Sequence, residues 1–376
     1  MSNSHSEQRT VAFALGGLAG NNAHGAGFLQ AALDKGVQPK MISCTSGQIL
    51  WAYRYLVARS RMSESGQIRK YFEDDLESVQ RTGNPNIDLA QVAIFGKEGV
   101  FRPAYSEYFT DWLRNSANLL DDLISCRTQM PFAKAFLSMI PARTLVPQFP
   151  DNFFYDIAKE FNDANIGIAF NSYNPCEGEE YVYLNQAARD CLASNRSRSR
   201  KYDPGHISDH RPYRTYQEID TDAVRDGLWL YQYGFDQNAD KFVDGAYFRG
   251  VMLSELTCAE TIFSVRPIAH EWKGALPSNY PELEDMKTEV GFNGAYSAER
   301  DQIRLINKLL RQGALEKAAA AGYREIDLVE VEIGRQRGYF DYLMESMDVF
   351  EEAYREGGKH LNQFLTGLRR SEANHG

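Results

Sequence analysis

Residues 41 to 49 read M-I-S-C-T-S-G-Q-I, a short apolar run that gives way at Thr45-Ser46-Gly47 to helical spacing. Ile49, Leu50, Tyr53, Leu56 and Val57 then fall on one face of a helix, so the stretch predicts a strand, a tight turn and a helix. A serine in such a turn has two readings. As an N-cap it accepts a hydrogen bond from the first free backbone N–H groups of the helix. As a nucleophile it stands at the C-terminal edge of the sheet, with the helix N–H groups and dipole aimed at it. The sequence on either side has to choose between them.

Upstream, V-A-F-A-L (11 to 15) is an apolar run ended by Gly16-Gly17, as expected of a strand buried on both faces. The loop G-G-L-A-G-N-N-A-H-G (16 to 25) follows, and Phe28, Leu29, Ala32 and Leu33 then share a helix face that Gly36 ends. Strand, glycine loop, helix, strand, turn and helix in succession predict an α/β domain: a central, mostly parallel sheet in a three-layer α/β/α arrangement. Further strands are expected at 166–173, 181–184, 241–246, 260–267 and 326–333, and helices at 298–311 and 339–369. Residues 60–165 are helical and aromatic, broken by R-T-G-N-P-N (81 to 86), and read as a mostly helical insertion in a single domain spanning 8–370. The basic stretch 193–214 has no periodicity and reads as a surface loop.

A formal charge of −10 over 376 residues argues against a nucleic-acid partner. Five cysteines without close or C-x-x-C spacing argue against a disulfide framework and a zinc site and favour a reducing, cytoplasmic setting. The polar N-terminus is followed by too short an apolar core for a signal peptide, and A-F-L-S-M-I (135 to 140) is closed off by Pro141 and Arg143. Any membrane contact is therefore expected to be peripheral. Oligomeric state is not legible.

The five residues Cys44-Thr45-Ser46-Gly47-Gln48 match a nucleophile elbow, G-x-S-x-G, with both outer glycines replaced. Acyl transfer needs donors aimed at the developing oxyanion, and the loop from Gly16 through Gly17, Leu18, Ala19 and Gly20 offers backbone N–H groups. Neither G-x-G-x-x-G nor G-K-[ST] is present, so a nucleotide loop is the poorer match. D-G-A at 244 to 246 follows a short apolar run; alone it reads as a plain turn.

Together, G-G-L-x-G, x-T-S-G and D-G-A in this order resemble the patatin-like phospholipases, which carry G-G-G-x-R-G, G-x-S-x-G and D-G-[GA]. H-G-A-G-F-L-Q-A-A-L-D-K-G-V (24 to 37) looks like the first helix of that family, and residues 166–183, 221–231, 260–265 and 347–365 are similar to later segments; residues 60–165 have no counterpart. The resemblance implies a patatin-like fold and a serine lipid acyl hydrolase of phospholipase A, lysophospholipase or esterase type. It implies a Ser46–Asp244 dyad, an oxyanion hole from Gly16, Gly17, Leu18 and Gly47, a lipid or acyl-ester substrate, and no metal or organic cofactor. Two alternatives stand beside it: a thioesterase or acyltransferase using the same dyad, and a non-catalytic lipid- or partner-binding protein, which the replaced glycine at Gln48 favours.

Other candidates read more simply. His24 is expected to cap or pack against the following helix, and Glu255 and Glu260 to be solvated. His206, Asp209 and His210 are too loosely framed to name as metal ligands, and Arg196, Arg198, Arg200 and Lys201 read as a solvated basic loop or a greeting for an anionic headgroup. Phe101, Tyr105, Tyr108, Phe109, Trp112, Phe132 and Phe136 are expected either to line an acyl-chain pocket or to pack the insertion onto the sheet.

Overall fold

The apolar runs become strands: β1 (Val11–Leu15), β2 (Met41–Cys44), β3 (Phe101–Pro103), β4 (Leu145–Pro147), β5 (Gly167–Asn174), β6 (Glu179–Leu184), β7 (Arg214–Glu218), β8 (Val243–Asp244), β9 (Thr261–Arg266) and β10 (Asp327–Glu332). The helices are α1 (Ala23–Asp34), α2 (Gln48–Ser60), α3 (Gln67–Glu77), α4 (Pro85–Phe95), α5 (Tyr105–Ile124), α6 (Phe153–Asp163), α7 (Gln186–Ala193), α8 (Thr221–Gly227), α9 (Tyr280–Arg311) and α10 (Met347–His375). The computed structural model describes residues 9–17, 22–60, 66–79, 82, 84–125, 137–193, 214–235, 241–266, 276–314, 323–333 and 347–375. The candidates Leu18, Phe132, Phe136, Arg196, Arg198, Arg200, Lys201, His206, Asp209 and His210 lie outside them.

Two compact units result, one of Met1–Leu76, Phe154–Leu228 and Val243–Gly376, the other of Glu77–Phe153 and Trp229–Phe242. The first holds the main sheet, in the order β10-β9-β1-β2-β5-β6-β7, with β8 also on β5. The pairs β10·β9, β9·β1, β1·β2, β2·β5 and β6·β7 are parallel, whereas β5·β6 and β5·β8 are antiparallel. The fold is therefore mixed α/β with a mostly parallel central sheet flanked by helices, compatible with three layers.

Period-two alternation explains the layers. Ala12 and Ala14 of β1 face a core shared with Ala188 and Leu192 of α7 and Tyr296 and Ile303 of α9. Phe13 points the other way, its ring 5.0 Å from Phe28 of α1 and 6.1 Å from Phe263 of β9. β1 is thus buried on both faces, which is why it reads as an unbroken apolar run.

One expectation is corrected here. Cys191 on α7 and Cys258 before β9 form a disulfide, with Cα atoms 6.1 Å apart across 67 residues of sequence. Spacing gave no sign of it because the sheet, not the local chain, brings them together. Arg214–Glu218 is a further strand, at the end of the basic stretch; R-T-Y-Q-E lacks apolar alternation and is held by pairing with β6.

The second unit contains α4, α5 and the antiparallel β3·β4 pair, with Arg143 bridged to Asp111 at 2.9 Å. On α5, Tyr105, Tyr108, Phe109 and Trp112 are exposed; Tyr105 Oη donates to Ala93 O and Ile94 O at 3.2 and 2.9 Å, and the Phe109 and Trp112 rings stack 6.2 Å apart. Among the described residues no helix is long and apolar enough to cross a membrane.

Candidate active site

The register on β5 brings the two proposed catalytic side chains together. β2 ends with Cys44 opposite Phe170, and β8 places Asp244 opposite Ser172, two residues further along the same strand. β6 occupies the other edge of β5 through this stretch, so β8 continues the edge that β2 leaves. Ser46, two residues past Cys44, therefore arrives level with Asp244. Its hydroxyl lies close enough to the Asp244 carboxylate to pull that group's pKa down.

Ser46 has φ of 57°, the left-handed region that a non-glycine residue enters only at an energetic cost of about 1–2 kcal/mol. The strain is held by its surroundings. Gln48 N–H donates to Thr45 O at 3.1 Å and Ile49 N–H to Ser46 O at 2.9 Å, starting α2. Thr45 Oγ1 donates to Gly250 O at 2.8 Å and accepts from Gly17 N–H at 2.7 Å. A Cβ on Gly17 would lie 2.6 Å from Ser46 Cβ, so the glycine loop passes the elbow at a distance only glycine permits.

The two replaced elbow glycines fit without opening the turn. Cys44 is fully buried with Sγ 3.7 Å from Ala169 O, and burial pushes its thiol pKa up, so it stays neutral. Gln48 turns away from Cys44, over α1: its Nε2 is 3.3 Å from Asn22 O and 2.9 Å from His24 Nε2. A Cβ at residue 25 would lie 1.9 Å from Gln48 Oε1, so Gly25 supplies the room. His24 is buried in the first turn of α1 with Nε2 2.6 Å from Gly16 O; it packs, as expected.

Asp244 is 1% exposed and Ser46 3%. Burial pushes the Asp244 carboxyl up to about 7, while the Ser46 hydroxyl and the Ala246 N–H, 2.9 Å from Oδ1, pull it down. A carboxylate poised there is a far better proton acceptor at neutral pH than one near 4.

The glycine-loop donors have a different use from the expected one. Gly16 N–H extends the β1·β9 ladder by donating to Val265 O at 2.9 Å, and Gly17 N–H is shared between Gly250 O at 3.2 Å and Thr45 Oγ1. Neither is free to meet an oxyanion in this structure. Gly47 N–H has no acceptor among the described residues.

A buried charge network, invisible in the sequence, backs the Asp244 loop. Arg249 donates to Glu180 Oε1 at 2.7 Å, Glu255 Oε2 at 2.9 Å and Glu299 Oε1 at 2.6 Å, and Arg214 adds bonds to Glu180 Oε2 and Glu255 Oε1 at 2.8 and 3.1 Å. Asn171 Nδ2 ties Glu180 Oε1 to the carbonyls of Gly245 and Arg249. Glu255 is therefore not solvated but fully buried, because residues distant in sequence neutralise it; Glu260 accepts from Thr10 N–H at 2.9 Å. Arg249→Met should leave Arg214 as the one cation bonded to Glu180 and Glu255 among the described residues and destabilise the fold by about 3–5 kcal/mol, read as a lower denaturant midpoint. An unchanged midpoint would mean that the network does not hold this loop.

Comparison with models of known protein families finds no match for the chain, and comparison with curated proteins finds none either.

Proposed function

We propose that this chain is a serine acyl hydrolase of the patatin-like kind, acting on lipid or other acyl esters through a Ser46–Asp244 dyad. The observation that carries the reading is a serine in the left-handed region at a strand-to-helix turn, beside a buried aspartate whose pKa is pushed up to about 7. Ser46 Oγ attacks the ester carbonyl carbon, its proton passes to Asp244, and the carbonyl π pair moves onto oxygen. Collapse of that intermediate breaks the bond to the alcohol oxygen, which takes the proton back from Asp244. Water then repeats the sequence on the acyl-serine, giving the free carboxylic acid and restoring Ser46. The α2 N-terminus favours the developing negative charge.

The test is hydrolysis of a short-chain nitrophenyl ester by the full chain as a function of pH. Asp244 must be deprotonated to accept the serine proton, so kcat/KM should fall as pH drops through about 7 and level off above it. Activity that is flat from pH 5 to 9, beyond the chemical background, would exclude Asp244 as the base. The second reading, a non-catalytic lipid- or partner-binding protein, is favoured by the low exposure of both dyad side chains. It predicts no turnover at any pH.

A further inference from the structure

We propose that the side-chain amide of Asn22 is an oxyanion donor of this site, acting with the Gly47 N–H in place of the Gly16 and Gly17 N–H groups. The inference rests on the acyl-hydrolase reading and supplies a side-chain donor beside Gly47, since the Gly16 and Gly17 N–H groups are committed to Val265, Gly250 and Thr45. A Cβ built on Gly47 would lie 2.1 Å from Asn22 Nδ2, so this amide rests against the α-carbon that follows the nucleophile. Glycine at 47 makes room for it. Every other residue type would push the amide away.

Asn22 is held there by its backbone. Its carbonyl accepts from Gly25 N–H at 3.1 Å, Ala26 N–H at 3.3 Å and Gln48 Nε2 at 3.3 Å, which fixes the residue at the entrance to α1 while leaving the side chain uncommitted. The side chain is buried, its Oδ1 has no hydrogen-bond partner among the described residues, and it makes no capping bond to α1. A buried amide oxygen without a partner is costly, of order 1–3 kcal/mol, so the fold keeps Asn22 here against a stability cost. An ester oxygen that gains charge at Ser46 is the acceptor Nδ2 is placed to meet. Gln48 has a part in this arrangement too: where glycine would leave a gap, its amide helps to hold the Asn22 carbonyl.

A donor that meets charge only in the transition state acts on kcat and leaves substrate binding alone, and the loss of one costs about 10²- to 10³-fold. Asn22→Ala should therefore lower kcat for nitrophenyl ester hydrolysis by about 10²-fold or more, with KM within about threefold of wild type. Its melting temperature should be unchanged or higher, because the variant removes a buried unpaired oxygen. Gly47→Ala, which leaves residue 22 intact but occupies its space, should give the same split. Retention of kcat within about threefold in Asn22→Ala would overturn the proposal, as would a loss that merely tracks the unfolded fraction. If wild type turns over no ester and Ser46 takes no fluorophosphonate, the parent reading fails and this one with it; a labelled, active wild type beside a fully active Asn22→Ala sinks this one alone.

Discussion

Ser46→Ala is expected to lower ester turnover by on the order of 10⁴-fold or more, to the level of the uncatalysed reaction plus binding effects. The fold should be unaffected. Alanine meets the same steric penalty as serine at φ 57°, so the strain of the turn is neither relieved nor increased. What is lost is the attacking oxygen and one of the two neighbours that hold down the Asp244 pKa, leaving the Ala246 N–H bond as the other. Ser46→Gly separates the two effects: it should be equally inactive but more stable by about 1 kcal/mol, since glycine enters the left-handed region freely. Turnover by either variant at more than a few per cent of wild type would remove Ser46 from the mechanism.

Asp244→Asn should be nearly as damaging, about 10³- to 10⁴-fold, because an amide cannot accept the serine proton. It should also make the protein more stable at pH 8. The folded-state pKa of Asp244 is raised from 3.8 to about 7, so its contribution to stability is fully present below about 4 and is lost as pH rises through about 7. At pH 8 wild type carries a buried carboxylate, and replacing it by a neutral amide that still accepts from Ala246 N–H should gain roughly 2–4 kcal/mol. At pH 4 the gain should vanish. Denaturant titrations of the two proteins at both pH values would measure it, and a variant less stable than wild type at pH 8 would mean that the Asp244 charge is compensated in the fold.

Elements whose apolar pattern is local were legible from sequence. β1, β2, β9 and β10 are apolar runs or alternations in a parallel sheet, and β5 and β6 flank a turn between two such runs. β7 was not, because its stability comes from pairing with β6 and from Arg214 in a buried ion network rather than from apolar side chains. The Ser46 turn could be read because strand, turn and helix are contiguous there. The position of Asp244 beside it could only be suspected, since it depends on both chain segments sharing one edge of β5.

The glycine loop misled for a physical reason. A glycine after a strand advertises a free N–H, yet whether the ladder continues through it depends on the neighbouring strand, and here Val265 O extends the pairing to Gly16. Gln48 misled in the opposite sense: its bulk looked incompatible with the elbow, but the space it needs lies over Gly25 on a different helix. Asn22 gave only the signal of an amide in the first loop. Its value comes from lying against Gly47, a contact across 25 residues that no local pattern encodes.

The most direct measurement is covalent labelling of the full-length protein with an alkyl fluorophosphonate, followed by intact-mass and peptide analysis. An activated serine displaces fluoride from phosphorus and keeps the phosphonyl group, whereas an ordinary buried or capping hydroxyl does not react. The account predicts a single adduct on the peptide containing Ser46, none on Ser46→Ala, and slow formation on Asp244→Asn. A wild-type protein that stays unmodified, or that carries its adduct on another residue, would contradict it.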